Sequence, residues 1–180
     1  MRRLYVDMDG VLVDFDSGVA RLDPRIRLAY VGHLDDAPGI FALMDPLPGA
    51  LEAFAELAQL FDTYVLSTAP WRNPSAWSDK LLWVQRHLGE AGHKRLILCH
   101  HKDLLQGDFL VDDRRAHGAD RFPGEHILFG APAFPDWPAV LAYLRDRADD
   151  AAPGDARPSI GRDPTPGGEG PSIGRDRGTT

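Results

Sequence analysis

Two carboxylates one residue apart, Asp7 and Asp9 in Asp-Met-Asp-Gly, stand directly after the apolar run Leu4, Tyr5 and Val6. That run has the β-favouring character of a short buried strand, and Gly10 lets the chain turn where a side chain would obstruct it. While the backbone stays extended, both carboxylates leave the strand on one side. Like charges this close repel unless a cation offsets them, so the pair reads as a site for Mg²⁺ and phosphate more readily than as packing. Three further polar groups follow apolar runs in the same way. Ser67-Thr68 ends Thr63-Tyr-Val-Leu-Ser67, Lys102 comes shortly after Arg95-Leu-Ile-Leu-Cys99, and the acidic pair Asp112-Asp113 ends Phe109-Leu-Val111.

The elements that must position these groups alternate between two periods. Leu51, Phe54, Leu57, Ala58 and Phe61 recur at helical spacing after Pro48-Gly49. Trp77, Leu81, Trp83, Val84 and Leu88 give the next helix an apolar side, with Gly89 and Gly92 as stop signals. His126-Ile-Leu-Phe129 reads as a fifth strand and Trp137 to Arg147 as a closing helix. Strands alternating with helices predict an α/β three-layer sandwich with a mainly parallel, Rossmann-like sheet. Ligands of such sheets bind at the carboxyl ends of the strands, which is where the acids, hydroxyls and lysine fall. Residues 16–47 lack a clean period and carry several prolines, so they read as a small cap inserted after the first strand, partly helical around Arg25 to Val31. The catalytic core then comprises 1–15 and 48–148.

Residues 149–180 turn to Pro, Gly, Asp, Arg, Ser and Thr, and Pro-Ser-Ile-Gly-Arg-Asp occurs there twice, at 158 to 163 and 171 to 176. With so little apolar surface to bury, this tail is expected to be disordered and of low complexity. The whole chain has 180 residues, 43% of them hydrophobic, and a formal charge of −7. An acidic chain disfavours nonspecific binding to a nucleic acid polymer or an anionic membrane, so phosphate must be bound locally. Cys99 is the only cysteine, which excludes an internal disulfide and a cysteine zinc cluster. Only three apolar residues separate Arg3 from Asp7, too few for a signal peptide, and the cytoplasm is the expected location.

The order Asp-x-Asp-Gly, Ser-Thr, Lys and Asp-Asp resembles that of the haloacid dehalogenase-like phosphatases. Asp-Met-Asp-Gly-Val-Leu-Val-Asp-Phe at 7 to 15, Pro-Leu-Pro-Gly-Ala at 46 to 50, Lys-Leu-Leu-Trp-Val at 80 to 84 and Gly-Asp-Phe-Leu-Val-Asp-Asp at 107 to 113 are similar to the 5'(3')-deoxyribonucleotidase family, the 5'-nucleotidase, deoxy (pyrimidine), cytosolic type C group. The resemblance covers residues 3 to 145 and implies a Mg²⁺-dependent phosphomonoesterase acting on a nucleoside monophosphate, with a homodimer left open. It makes Asp7 the nucleophile and Asp9 the acid and base. It places Mg²⁺ on Asp7, the Asp9 carbonyl and Asp113, ahead of Asp112, which would orient a neighbour. Ser67, with Thr68 as helper, and Lys102 would hold the phosphate. Phe15 and Phe41 would form the base-binding wall.

Motif two departs from the family pattern, because Ala69 separates Thr68 from Pro70, so anchoring on the proline would promote Thr68 over Ser67. The cap, shorter than in well-known members, leaves a sugar phosphate or another small phosphomonoester as an alternative substrate. A receiver-like signalling domain would place its acidic pair first and its phosphorylated aspartate later, the reverse of the order here. A noncatalytic phosphate-binding protein is disfavoured by the intact Asp7, Asp9, Lys102 and Asp113. His100 and His101 point apart in an extended segment and read as exposed loop residues.

Overall fold

The computed structural model describes residues 1–149. Five strands form one parallel sheet: β1 (Arg3–Val6), β4 (Asp62–Ser67), β5 (Leu96–Leu98), β6 (Phe109–Asp112) and β7 (Glu125–Leu128), in the order β5-β4-β1-β6-β7. β1 is central, with Val6 in register with Val65 on one side and Val111 on the other. Strand alternation divides the side chains between two cores. Leu4, Val6, Val65, Phe109, Val111 and Ile127 enter the larger one, whereas Tyr5, Leu66 and Leu110 pack with Ala119 and Phe122 on the opposite face.

The two faces are covered unequally. Helix α3 (Ala50–Leu60) buries Ala50, Ala53, Phe54 and Leu57 at three- and four-residue spacing, and it packs against α6 (Trp137–Asp149), which contributes Trp137, Val140 and Leu144 to the same core. Helix α4 (Ser75–His87) and the short α5 (Gly89–Gly92) complete that layer. The other face is closed by single 3₁₀ turns at Lys102–Leu104 and Ala119–Arg121. The connection between β6 and β7 carries Gly118, Pro123 and Gly124, which leave no room for a full helix.

The insertion after β1 is more ordered than its composition suggests. Met8 starts a tight turn in which its carbonyl accepts from the amides of Leu12 and Val13 at 2.8 and 2.9 Å. β2 (Val13–Asp14) then pairs antiparallel with β3 (Asp45–Pro46), so the two ends of the insertion are joined. Between them lie α1 (Phe15–Arg21), capped by the Asp14 carboxylate accepting from the Asp16 amide, and α2 (Pro24–Ala29). The expected helix over 25 to 31 corresponds to α2; α1 carries Gly18 in its middle, which masks its pattern. Gly18 packs tightly, since a Cβ there would meet Met44 Cγ at 2.8 Å.

Asn73 ties the insertion to the core by donating to the carbonyls of Asp35 and Ala37, both at 2.9 Å. Trp83 Nε1 donates to the Met44 carbonyl at 3.0 Å. Among the described residues no helix is long and apolar enough to cross a membrane. The tail read from 149 onward lies outside the described residues except for Asp149, where α6 ends.

Candidate active site

Because β1, β4 and β6 are neighbours, their carboxyl ends bring the groups singled out above to one edge of the sheet. A cleft of about 900 Å³ opens there, lined by Asp7, Asp9, Thr68, Lys102, Asp112 and Asp113, with Phe15 and Phe41 from the insertion on its wall. Asp7 follows β1 and is fixed by its amide donating to the Val111 carbonyl at 2.8 Å. The turn after it is held from the far end of the chain, where Trp137 Nε1 donates to the Val11 carbonyl at 3.0 Å.

Lys102 is almost fully buried, and its Nζ lies 3.0 Å from Asp7 Oδ1 while donating to Asp112 Oδ2. Burial alone would lower the lysine pKa, but the charges of Asp7 and Asp112 outweigh it and raise the value, so the side chain stays an ammonium. Its turn is braced by the Lys102 amide, which donates to the carbonyl of His117 at 2.8 Å.

The acidic pair divides its contacts unequally. Both oxygens of Asp112 are engaged, Oδ2 by Lys102 and Oδ1 by the Arg114 amide at 2.9 Å. Among the described residues, Asp113 accepts only from Arg114 Nε, at 3.4 Å. Carboxylate oxygens of Asp7, Asp112 and Asp113 lie within 4.8 Å of one another, and among the described residues Asp7 Oδ1 and Asp9 Oδ1 are buried without a well-aligned hydrogen-bond donor. This all-oxygen set fits a hard divalent cation, and Asp113 is the member of the pair with an oxygen free for it. Burial raises the carboxyl pKa values of Asp9, Asp112 and Asp113; the charge of Asp7 adds to the rise in all three, while Lys80, Lys102 and Arg114, respectively, oppose it.

Gly10 sits against the same carboxylate. Its φ is +72°, and a Cβ there would lie 2.5 Å from Asp113 Oδ2. Gly10→Ala is therefore expected to cost about 1 kcal/mol or more in stability and to displace Asp113, weakening Mn²⁺ affinity measured by titration calorimetry. Unchanged affinity would show that Asp113 does not hold the cation.

The two hydroxyl residues occupy different positions. Ser67, the last residue of β4, is fully buried, and its Oγ accepts from Lys80 Nζ at 2.9 Å. Thr68 lines the cleft and donates to the Cys99 carbonyl at 3.0 Å. Sequence reasoning missed Lys80 altogether as a site residue. It is fully buried on α4, and its Nζ donates to Asp9 Oδ2 at 2.6 Å.

A signal for it existed, because Ala76, Lys80, Trp83 and Val84 share one helical stripe, and a lysine in such a stripe needs a buried anionic partner. The expected apolar side of α4 is correspondingly rotated, with Trp77, Leu81 and Leu82 left partly exposed. His100 also differs from expectation: it is half-buried, lines the cleft and packs against Trp71 and Trp77 at ring-centroid distances of 5.9 and 6.0 Å. His101 is exposed as expected. Trp71 is 83% exposed at this rim, whereas Trp83 and Trp137 are core anchors.

A family model described as 5' nucleotidase, deoxy (pyrimidine), cytosolic type C protein matches residues 22–135, more than half of the chain. The chain belongs to this nucleotidase family. A protein of Vibrio phage KVP40 that bears the name 5'(3')-deoxyribonucleotidase is 55% identical over 141 residues, covering 78% of this chain and 83% of the relative. The human cytosolic 5'(3')-deoxyribonucleotidase is 34% identical over 158 residues, covering 71% of this chain and 79% of the relative. The human mitochondrial 5'(3')-deoxyribonucleotidase is 32% identical over 160 residues, covering 72% and 70%. The nucleotidase family match takes in Ser67, Lys80, Lys102 and Asp113 and begins after Asp7 and Asp9, which line the cleft together with Lys102 and Asp113.

Proposed function

We propose that this nucleotidase-family chain is a Mg²⁺-dependent 5'(3')-deoxyribonucleotidase that dephosphorylates deoxyribonucleoside monophosphates. The observation that carries the reading is the meeting of Asp7, Asp9, Lys102 and Asp113 at one cleft, which Phe15 and Trp71 also line. Phosphate-ester hydrolysis needs a placed nucleophile, neutralisation of the phosphate and an acid for the leaving alkoxide, and each has a candidate here.

Asp7 attacks phosphorus, the bond from phosphorus to the sugar oxygen breaks, and Asp9 donates its proton to that oxygen, leaving an aspartyl-phosphate on Asp7. Asp9, now a carboxylate, takes a proton from water as the water attacks phosphorus; inorganic phosphate leaves and both residues return to their starting states. The burial that raises the Asp9 pKa favours the protonated form the first step requires. Asp7, Asp113 and the Asp9 carbonyl would hold Mg²⁺, which when bound neutralises charge between the phosphate and Asp7. Asp112, saturated by Lys102 and the Arg114 amide, orients the lysine. Lys102 and Thr68 meet the phosphate, with Ser67 supporting from behind the cleft lining. Phe15, half-buried on the cleft lining, offers a pyrimidine a stacking face and is backed edge to face by the buried Phe41, ring centroids 6.3 Å apart.

Cys99 as the only cysteine suits a reducing compartment, and we place the activity in the cytoplasm. The test is phosphate release from dUMP, dTMP, other nucleoside monophosphates and sugar phosphates, with Mg²⁺ and with EDTA. Metal-dependent release strongest on dUMP or dTMP is expected. Equal release from sugar phosphates would overturn the substrate, and no metal-dependent release from any of them would overturn the enzyme.

A further inference from the structure

Lys80 is 0% exposed, and its ammonium is held by two oxygens and an aromatic ring. Its Nζ lies 2.6 Å from Asp9 Oδ2, 2.9 Å from Ser67 Oγ and 4.5 Å from the centroid of the Phe41 ring. Phe41 belongs to the 3₁₀ turn Ile40–Ala42 of the insertion, so one side chain joins the acid that follows β1, the hydroxyl that ends β4 and the insertion. Burying an unpaired ammonium is costly, and a lysine is tolerated in this stripe because two oxygens and an aromatic face replace its water. The helix is locked in the required register one turn later, where Trp83 Nε1 holds the Met44 carbonyl.

Asp9 depends on this contact. Among the described residues its Oδ1 is buried without a hydrogen-bond partner, and Lys80 is the one side chain that donates to Oδ2. Without Lys80 the carboxyl could rotate about its side-chain bonds, and proton transfer needs the acid within hydrogen-bond reach of the leaving oxygen. Lys80 itself is 0% exposed and not part of the cleft lining, and its ammonium meets the cleft through Asp9.

We propose that Lys80 is the positioning residue of this site: it aims the Asp9 carboxyl at the leaving oxygen and ties that aim to Ser67 and to the insertion through Phe41. The inference rests on the nucleotidase reading and deepens it. A contact that acts through the acid has a signature that a general packing role lacks. Substrates whose leaving group needs a proton suffer when it is lost, and those with a stable leaving anion do not.

The experiment compares wild type with Lys80→Met in single-turnover phosphorylation by dUMP, which expels an alkoxide, and by p-nitrophenyl phosphate, which expels a stable phenolate. Lys80→Met is expected to slow the step about 100-fold with dUMP and at most about threefold with p-nitrophenyl phosphate, with KM for either substrate little changed. On an Asp9→Asn background the same substitution is expected to add nothing with dUMP. That double variant has no buried carboxylate left without its partner, so it decides the matter if Lys80→Met alone does not fold. Equal losses on both substrates, no loss on either, or a loss that adds to that of Asp9→Asn would overturn the inference. A wild type inactive on both substrates would overturn the nucleotidase reading and this inference with it, whereas an active wild type with uniform losses overturns the inference alone.

Discussion

Asp7→Asn is expected to lower phosphate release from dUMP by about 10⁴-fold or more while the protein melts within a few degrees of wild type. An amide has the shape of the carboxylate without its nucleophilicity, so the chemical step loses its attacking atom. The fold has less to lose. Asp7 is one of three carboxylates whose oxygens crowd within 4.8 Å, and removing its charge relieves repulsion with Asp112 and Asp113. Lys102 keeps Asp112 as its partner. Thermal melting and a phosphate assay on the same preparation check both halves. Activity within a hundredth of wild type would sink the covalent mechanism, and a protein that fails to fold would show that Asp7 serves structure as much as chemistry.

Lys102→Met carries the second large effect, and it should strike activity and stability together. The side chain is 3% exposed and lies between Asp7 and Asp112. Removing it leaves two buried carboxylates facing each other without a cation, which typically costs about 3 kcal/mol or more. Phosphate binding and the shift of charge during attack also lose their fixed ammonium, a loss of about 10³-fold in turnover. Urea unfolding and turnover on dUMP read the two effects separately. A variant that unfolds at the wild-type midpoint would refute the structural role, and one that retains turnover would refute the electrostatic one.

Much of this was legible in the chain because the sheet is simple. Leu4 to Val6, Thr63 to Ser67 and Phe109 to Val111 are short apolar runs, each ending in a polar residue, and in a parallel sheet that pattern alone places Asp7, Ser67-Thr68 and Asp112-Asp113 at a common edge. The insertion was less legible. β2 and β3 have two residues each, too few for a period, and α1 is interrupted by Gly18, whose reason is the close approach of Met44.

Lys80 was hidden differently. A lysine flanked by Asp79 and Leu81 looks like a solvated helix residue, and the neighbouring Trp77 and Leu81 offer a competing hydrophobic side that is in fact partly exposed. The position is decided by tertiary partners, Asp9 and Phe41, which lie far away in sequence. His100 was missed for the same reason: its packing against Trp71 and Trp77 comes from two different segments meeting at the cleft rim.

The central claim is that phosphate passes through Asp7 before reaching water, and the configuration at phosphorus tests it most directly. Hydrolysis of a thiophosphate analogue of dUMP made chiral with oxygen isotopes, in isotopically labelled water, is predicted to give thiophosphate with retained configuration, because two in-line displacements each invert the centre. Inverted product would mean that water attacks the substrate directly and would contradict the role assigned to Asp7.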